Sequence, residues 1–461
     1  MRKTSLLFML LLCLFSFCSC SSESTAKEAS DSSSEKYQNE TDALTLITDV
    51  DGFMNISHTY TADGLYEIVR ATDNTSANIY YTDFKNCSRQ ALCNEPACSH
   101  NHDGCRSYVE NAGMLYGLFI YNDKLYLYTN IQDKYPTVTQ AELDGSDRKL
   151  FFNFSQSNTP NGAIAANSTN WYYLHQDINS SGAAVVSIQC LDTISKDVQT
   201  LYTLPQSNET AYYLSGAYNN ELIIKTNSFS SETPAGIYSY DISTNSFTTI
   251  TEVTGNVVCR VKDENLVFWR SDKPQIICHN LYSGNETVLY EDSLLNSYAS
   301  LLVNGIFDEH LIMIISNSTP LEDADWNAVS DEEKQQWKAT LEDALGYEVP
   351  EDQVYNELLR INRENNAGVS IAQSKYIAID LQGGGQEISL KGGENNDRPV
   401  TIMAETANEF CVYYDYEEVP LTLYNMEGTP YTSTLRQKKT AMINKDDFFA
   451  NIPNYRYIEN Q

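Results

Sequence analysis

The sequence predicts an all-β protein: a seven-bladed β-propeller, with eight blades as the alternative, that carries a small inserted helical hairpin. Three observations support this fold class. The composition is rich in Tyr, Asn and Ser, with 32 Tyr among 461 residues, and such a composition favours strands and turns. A strand–turn–strand element recurs seven times, and a polar turn that leads into an apolar strand recurs every 44 to 50 residues. That spacing is typical of four-stranded propeller blades.

Residues 1–19 have the organisation of a signal peptide. Basic Arg2 and Lys3 precede an apolar run that is too short to span a bilayer comfortably, and small residues then lead to Cys20. A cysteine at this point resembles a bacterial lipobox, and the resemblance implies a lipid on the Cys20 thiol. A soluble secreted protein is the alternative, because Phe17 stands where a lipobox usually has Leu.

Residues 20–40 are predicted to form a flexible tether. From Ser21 to Lys36 the chain has no large apolar residue, so it cannot bury enough surface to offset the entropy of ordering. The remaining residues, 41–461, are assigned to the propeller. We therefore expect a folded body held away from a membrane by its N-terminal segment, on the outer side of the cytoplasmic membrane.

The charge balance excludes one class of partner. The sequence has 62 acidic and 30 basic residues, a formal net charge of −32, and an acidic surface repels the phosphates of nucleic acids. We expect no nucleic-acid partner. The acidic surface is interpreted as a source of solubility, with attraction of cations or basic partners as the alternative.

The seven strand–turn–strand copies define the predicted blades. They cover residues 79–92, 139–150, 188–201, 237–247, 276–289, 376–388 and 421–429. The polar turns that precede the apolar strands begin at Asn122, Thr169, Asn219, Asp263 and Asp308. Asn and Asp tolerate the left-handed backbone that tight hairpins need. We expect residues 440–443, or the segment before Asn74, to complete a blade and close the ring.

Residues 319–366 interrupt the repeat and are predicted to be helical. Ser330 and Glu333 form a capping box, and Gly346 is placed to end the first helix. Two apolar helix faces follow from helical spacing: Trp337, Leu341, Ala344 and Leu345, and then Val354, Leu358 and Ile361. Packing on the propeller rim is the simpler interpretation, and a cap over the central channel is the alternative.

A cluster of metal-binding residue types lies between residues 93 and 105. Cys93, Cys98, His100 and Cys105 could supply the four ligands of a structural zinc site, with His102 or Cys87 as substitutes. Because disulfides persist in exported proteins, two bridges among Cys87, Cys93, Cys98 and Cys105 are the alternative, and free thiols are a third.

Three of these features together resemble a known group. They are the lipobox, the cysteine cluster after the first hairpin, and the Leu143-Asp144-Gly145-Ser146 turn. The chain resembles the lipid-anchored TolB-like propeller proteins of Gram-positive anaerobic bacteria. The resemblance implies the propeller architecture and no catalytic residues.

Two classes of function remain open. The first is an extracytoplasmic binding or protein-interaction module for a surface glycan or protein ligand, which we expect to be monomeric. Trp171, Tyr172, Trp269 and Arg270 are the predicted ligand contacts, because aromatic side chains near strand ends make good contacts. The second is a carbohydrate-active hydrolase or lyase that uses carboxylates in the channel. No catalytic motif is present, so no catalytic residue is predicted.

Overall fold

The computed structural model describes residues 42–48, 58–71, 76–110, 115–130, 135–206, 209–230, 232–253, 255–365, 370–395, 399–424 and 429–460. The predicted signal peptide, Cys20 and the tether lie outside these residues. Among the helices that the structure describes, none combines the length and apolarity needed to cross a bilayer.

The described residues form seven sheets arranged in a ring, so the predicted seven-bladed propeller is confirmed. An additional short strand, β1 (Thr45–Leu46), precedes the first blade. Blade 1 consists of β2 (His58–Tyr60), β3 (Gly64–Arg70), β4 (Ser76–Asp83), β5 (Ser88–Ala91) and β6 (Tyr108–Glu110). Blade 2 consists of β7 (Leu115–Tyr121), β8 (Lys124–Asn130), β9 (Thr137–Ala141) and β10 (Lys149–Asn153).

The next blades repeat the four-stranded pattern. Blade 3 is β11 (Pro160–Ala166), β12 (Asn170–Ile178), β13 (Ala184–Asp192) and β14 (Val198–Thr203). Blade 4 is β15 (Thr210–Tyr218), β16 (Glu221–Ser228), β17 (Ala235–Asp241) and β18 (Ser246–Val253). Blade 5 is β19 (Val257–Lys262), β20 (Asn265–Arg270), β21 (Gln275–Asn280) and β22 (Glu286–Glu291).

The last two blades carry the long connections. Blade 6 is β23 (Ala299–Phe307), β24 (His310–Pro320), β25 (Ser370–Asp380) and β26 (Gly385–Glu387). Blade 7 is β27 (Thr401–Glu405), β28 (Glu409–Tyr424), β29 (Pro430–Asn444) and β30 (Arg456–Tyr457), and the chain ends with β31 (Glu459–Asn460).

The tight turns between the first and second strands of the blades lie on one side of the ring. Asn122, Asp123, Asn219, Asp263 and Asp308 all have positive φ angles there, as the polar-turn pattern predicts. We call this side the turn face. The opposite side, the loop face, carries the connections between second and third strands, including residues 179–183 and 271–274.

The hydrophobic core is divided among the spaces between neighbouring blades. Blades 2 and 3 enclose Phe119, Tyr126, Trp171 and Tyr173, all of which are buried. Comparable apolar clusters fill the other interfaces around the ring. Each sheet therefore buries both faces only when it has two neighbours, which is the reason for closing the ring.

The N-terminal strand lies at the inner edge of blade 3. β1 pairs antiparallel with β11, the strand closest to the central axis. Asp42 accepts hydrogen bonds from the backbone and the hydroxyl of Ser168 on the turn face, and Leu44 donates to Asn219 O of blade 4. The chain therefore enters the channel from the turn face and runs towards the loop face.

Ring closure differs from the expected arrangement. Residues 440–443 belong to β29, the third strand of blade 7, and the segment before Asn74 supplies β2 and β3 of blade 1. The closure comes from β31, which pairs in parallel with β5 at the outer edge of blade 1. Arg456 supports it by donating to Phe84 O and Lys85 O.

The seventh predicted hairpin, residues 421–429, is also placed differently. Described residues 421–424 form the end of β28, and β28 pairs with β29 over most of its length. This hairpin therefore joins the second and third strands and extends from the loop face. In blade 7 the third and fourth strands are joined through the short helix α3 (Lys445–Phe449) instead.

The helical insertion joins β24 to β25. It contains α1 (Asp331–Leu345) and α2 (Val354–Asn365), together with short 3-10 helices at Trp326–Ala328 and Glu351–Gln353. Both halves of the Ser330 and Glu333 capping box are formed, and Gly346 ends α1 with a φ of 74°. The predicted apolar faces pack on Leu321 and Ile371 at the ends of β24 and β25, except that Ala344 is exposed.

Candidate functional site

The cysteine–histidine cluster lies in a loop that interrupts the outer strand of blade 1. β5 and β6 pair with consecutive parts of β4, so both occupy the same position in the sheet. Residues 92–107 form the loop that connects them. Ala97 and His100 have positive φ angles of 62° and 53°, which are uncommon for non-glycine residues. The backbone of this loop is therefore folded tightly around its cysteine side chains.

Four ligand-type atoms converge inside this loop. The Sγ atoms of Cys93, Cys98 and Cys105 and a ring nitrogen of His100 all lie within 4.8 Å of one another. His100 Nδ1 is 3.3 Å from Cys105 Sγ. Cys93 and Cys105 are buried. The structure thus brings together the four residues that the sequence predicts as zinc ligands.

The two substitute ligands are placed apart from this set. His102 Nε2 is 3.7 Å from Cys98 Sγ at the exposed side of the loop. Cys87 packs instead among the apolar residues between blades 1 and 7, where its Sγ faces the carbonyl oxygen of Phe84.

The disulfide alternative is not formed in the structure. Cys87, Cys93, Cys98 and Cys105 are all free thiols. With Cys87 in another cluster, only three cysteines remain close together, and any single bridge among three thiols leaves one unpaired. The physical reason is the fold of the loop, which places a histidine where a fourth cysteine would have been needed.

Hydrogen bonds connect the cluster to the blade. Cys105 Sγ lies 3.1 Å from the hydroxyl of buried Ser107, which donates to Asn78 Oδ1 of β4 at 3.1 Å. Burial alone would raise the pKa of Cys105, but hydrogen bonds from Ser107, His100 and Cys98 outweigh it and lower the pKa to about 6.

The same loop contacts blade 2. Arg148, after the third strand of blade 2, donates to Tyr108 O at 2.6 Å and also to Arg106 O. Arg106 in turn forms an ion pair of 3.3 Å with Asp144. Burial lowers the pKa of Arg148, which is nonetheless charged at any physiological pH. The cluster thus lies at the junction of two blades.

A second candidate site is a cleft between blade 1 and the long hairpin of blade 7. Its volume is about 160 Å³, roughly ten times the space that one water molecule needs. Four of its lining residues are basic, Arg70, Arg89, Arg436 and Lys438. Glu67 is the one carboxylate among them. In a chain of net charge −32, this concentration of cations is a marked departure from the average surface.

The deep part of the cleft is charged and nearly dry. Arg89 forms an ion pair of 3.2 Å with Glu67, and their side chains are only 11% and 7% exposed. Arg89 also lies over the ring of Tyr80 at 4.5 Å. Such a pair needs good geometry to offset the cost of removing two charges from water.

The outer part of the cleft carries two cations that have no ion-pair partner among the described residues. Lys438 and Arg70 form no ion pair with any residue that the structure describes. Lys438 and Arg436 lie over the rings of Tyr413 and Tyr416, at 5.8 and 4.4 Å. Arg436 also pairs with Glu418 at 3.3 Å, where both side chains are exposed, so this pair is weak.

Buried His58 lies beside the cleft. It is the cross-strand neighbour of Glu67 and is 2% exposed, and neither ring nitrogen makes a hydrogen bond of normal geometry with a described residue. Burial, and then the positive charge of Lys438, lower its pKa to about 3. His58 is therefore neutral at physiological pH.

The predicted ligand contacts do not form a site. Trp171, Tyr172 and Trp269 are buried in three different interfaces, between blades 2 and 3, 3 and 4, and 5 and 6. Arg270 is held by Asp272 through two contacts of 2.6 Å. The structure therefore places the three aromatic rings in the cores between blades, and not at the surface where ligand contacts were predicted. A ligand contact at Arg270 stays a prediction.

Sequence reasoning missed the cleft, since its residues come from chain segments more than 340 positions apart. The sequence offered one signal for the cleft: Arg436 and Lys438 are two basic residues, two positions apart, in an acidic chain. No pattern in the sequence links these two residues to Arg70 and Arg89.

Neither protein-family models nor curated protein sequences match the chain. Among solved structures, the chain is similar to TolB from Acinetobacter baumannii, with 12% identity over 55% of this chain and 60% of that one and a TM-score of 0.30. It is also similar to a prolyl endopeptidase, with 10% identity over 86% and 56% and a TM-score of 0.46.

A third similar structure is oligogalacturonate lyase from Vibrio parahaemolyticus, with 9% identity over 59% of this chain and 88% of that one and a TM-score of 0.30. The chain thus spans less than two thirds of TolB and of the endopeptidase. At these identities the likeness concerns the fold alone. The protein is a β-propeller, with TolB among its structural neighbours.

Proposed function

We propose that this protein is a lipid-anchored propeller that faces the outside of the cell and binds an anionic group of a surface glycan. The binding site is the cleft between blade 1 and the β28–β29 hairpin. The ligand group is a carboxylate or a phosphate on a sugar.

The observation that carries the proposal is the charge of the cleft. Four basic residues line the cleft: Arg70, Arg89, Arg436 and Lys438. Glu67 is the one carboxylate in the lining, and Arg89 already neutralises it. Arg70 and Lys438 pair with no described residue. Because guanidinium and ammonium groups bind carboxylate and phosphate through charge-assisted hydrogen bonds, these two cations favour an anion there.

The neighbouring rings favour a sugar as the carrier of that anion. Tyr80, Tyr413 and Tyr416 lie next to the cations of the cleft. Tyr side chains combine apolar area with a polar tip and lose little entropy when they bind. A cleft of about 160 Å³ accommodates a small charged group and not a folded partner.

The path of the N-terminal segment supports an outward-facing cleft. Asp42 is bound on the turn face and β1 runs inward from there, so the predicted tether starts on the turn face. The long β28–β29 hairpin, which forms one wall of the cleft, extends from the opposite face. A membrane anchor at Cys20 thus leaves the loop face open to the surroundings.

Isothermal titration calorimetry of the purified protein tests the proposal. Glucuronate, inorganic phosphate and glucose are each titrated into the protein, and glucose serves as the uncharged comparison. We expect the two anions to bind, glucose not to bind, and affinity to fall with added salt. Binding of glucose as strong as that of glucuronate would contradict an anion site.

Substitution of the cleft cations tests whether the anion binds in this cleft. Lys438→Gln and Arg436→Gln should each weaken anion binding about tenfold or more, the equivalent of about 1.4 kcal/mol. The matched control is Lys149→Gln, an exposed lysine of blade 2, which should leave the affinity unchanged. An equal loss in the control would indicate a general charge effect and not this cleft.

The alternative function is an extracytoplasmic carbohydrate-active hydrolase or lyase. Hydrolysis of glycosidic bonds by the common mechanisms uses two carboxylates. This alternative places them in the central channel and not in the cleft, where Glu67 is the one lining carboxylate. Mass spectrometry of glycans incubated with the protein distinguishes the two functions, because a binding module leaves every chain intact.

A further inference from the structure

The most closely assembled group of ligand-type side chains among the described residues lies at the junction of blades 1 and 2, away from the anion cleft. Its members are Cys93, Cys98, His100 and Cys105, with their ligand atoms mutually within 4.8 Å. In a tetrahedral zinc site, bonds of about 2.3 Å to sulfur and about 2.0 Å to nitrogen place the ligand atoms roughly 3.5–3.8 Å apart. The observed set needs only small movements to reach that arrangement.

We propose that these four residues bind one zinc ion in a closed structural site. Three thiolates and one imidazole satisfy the usual coordination number of four, so no position remains for a substrate or a water molecule. The zinc ion is therefore structural and not catalytic.

The hydrogen bonds around the cluster support a metal site. Metal ligands are normally oriented by partners outside the coordination sphere. Ser107 is fully buried, lies 3.1 Å from Cys105 Sγ and donates to Asn78 Oδ1. These contacts fix the direction of the Cys105 thiol towards His100.

The position of the site predicts what the metal stabilises. The loop interrupts the outer strand of blade 1 and contacts blade 2 through Arg106 and Arg148. Zinc would hold residues 92–107 in the shape that allows β6 to rejoin β4. Loss of the metal should loosen this loop and the contacts between the two blades.

The first test measures metal content. The protein is purified under reducing conditions, and zinc is measured by inductively coupled plasma mass spectrometry. We expect one zinc per chain in the unsubstituted protein and in Cys190→Ser, a blade 3 cysteine outside the cluster. Cys93→Ser and Cys105→Ser should lose at least nine tenths of it.

The two histidines of the loop form a matched pair. His100→Ala should lower zinc affinity at least tenfold, whereas His102→Ala should retain it, because His102 is outside the four-residue set. The opposite result for these two variants would overturn the assigned ligands. Circular dichroism of each variant verifies that the propeller is folded.

A spectroscopic measurement keeps the test independent of folding. Replacement of zinc by Co²⁺ should give the visible absorption of tetrahedral cobalt together with thiolate charge-transfer bands. Hydrogen exchange of residues 92–110 should rise when a chelator removes the metal. A metal-free protein that binds no Co²⁺, or one with a disulfide among Cys93, Cys98 and Cys105, would overturn the proposal.

Discussion

Arg89 Nε lies 3.2 Å from Glu67 Oε2, and both side chains are almost completely buried at the interface of blades 1 and 7. This ion pair closes the deep end of the cleft between blade 1 and the β28–β29 hairpin. Because each charge is removed from water, the loss of either partner leaves the other uncompensated.

Glu67→Gln should therefore have two opposite effects. We expect the free energy of unfolding to fall by about 3–5 kcal/mol, because Arg89 keeps a buried charge without its partner. We expect affinity for glucuronate to rise, because a competing carboxylate is gone. Urea denaturation and calorimetry measure these two quantities. In the control Glu418→Gln, whose ion pair with Arg436 is exposed, stability should change by less than about 0.5 kcal/mol.

His58 should make stability depend on pH below neutrality. Burial and the charge of Lys438 lower its pKa to about 3 in the folded state, against 6.5 in the unfolded chain. Between these values the unfolded chain binds the extra proton, so this contribution is fully present above pH 6.5 and is lost as the pH falls towards 3.

Between these two pKa values, the contribution of His58 to the free energy of unfolding changes by about 1.4 kcal/mol per pH unit. Urea denaturation at several pH values should show a smaller slope for His58→Gln than for the unsubstituted protein. His102→Gln replaces an exposed histidine and should leave the slope unchanged. Equal slopes in all three proteins would show that His58 does not titrate as described.

Trp171→Ala should destabilise the fold without changing anion binding. The Trp171 side chain is fully buried between blades 2 and 3, and large-to-small substitutions of this kind cost about 3–5 kcal/mol. Thermal unfolding and calorimetry give the two readouts. Tyr282→Ala, at a site that is 85% exposed, is the control. A stable variant with lost glycan binding would restore Trp171 as a ligand contact.

Arg456→Ala should weaken ring closure. Its guanidinium donates to Phe84 O and Lys85 O of blade 1 and to Glu409 of blade 7. We expect a loss of about 1–3 kcal/mol and faster hydrogen exchange in residues 88–91. Arg363→Ala removes an exposed arginine of the insertion and serves as the control. Unchanged exchange in residues 88–91 would contradict the closing role.

Cys20→Ser should release the protein from the membrane. Without its thiol the predicted acceptor of the lipid is absent, and one tether cannot hold the body at a bilayer. Detergent phase separation and mass spectrometry of the N-terminal peptide measure the change. Cys18→Ser should remain in the detergent phase. Retention of the Cys20→Ser protein on the membrane would refute lipidation at this residue.

The sequence by itself determined the number of blades, the positions of most hairpins and the helical insertion. These features follow from local rules: strand periodicity, left-handed turns at residues such as Asn219 and Asp263, and the cap at Ser330. The clustering of Cys93, Cys98, His100 and Cys105 was also readable, because these residues lie within 13 consecutive positions, 93–105.

Tertiary structure decided the features that depend on distant contacts. Only the closed ring brings Arg89 to Lys438, places β31 beside β5 and inserts β1 at the inner edge of blade 3. It also turns Trp171 and Trp269 into core residues. The physical reason is that both faces of each sheet are covered by neighbouring blades. The pattern of apolar residues in one strand predicts that its side chains are buried, but it does not predict which residues of another blade they contact.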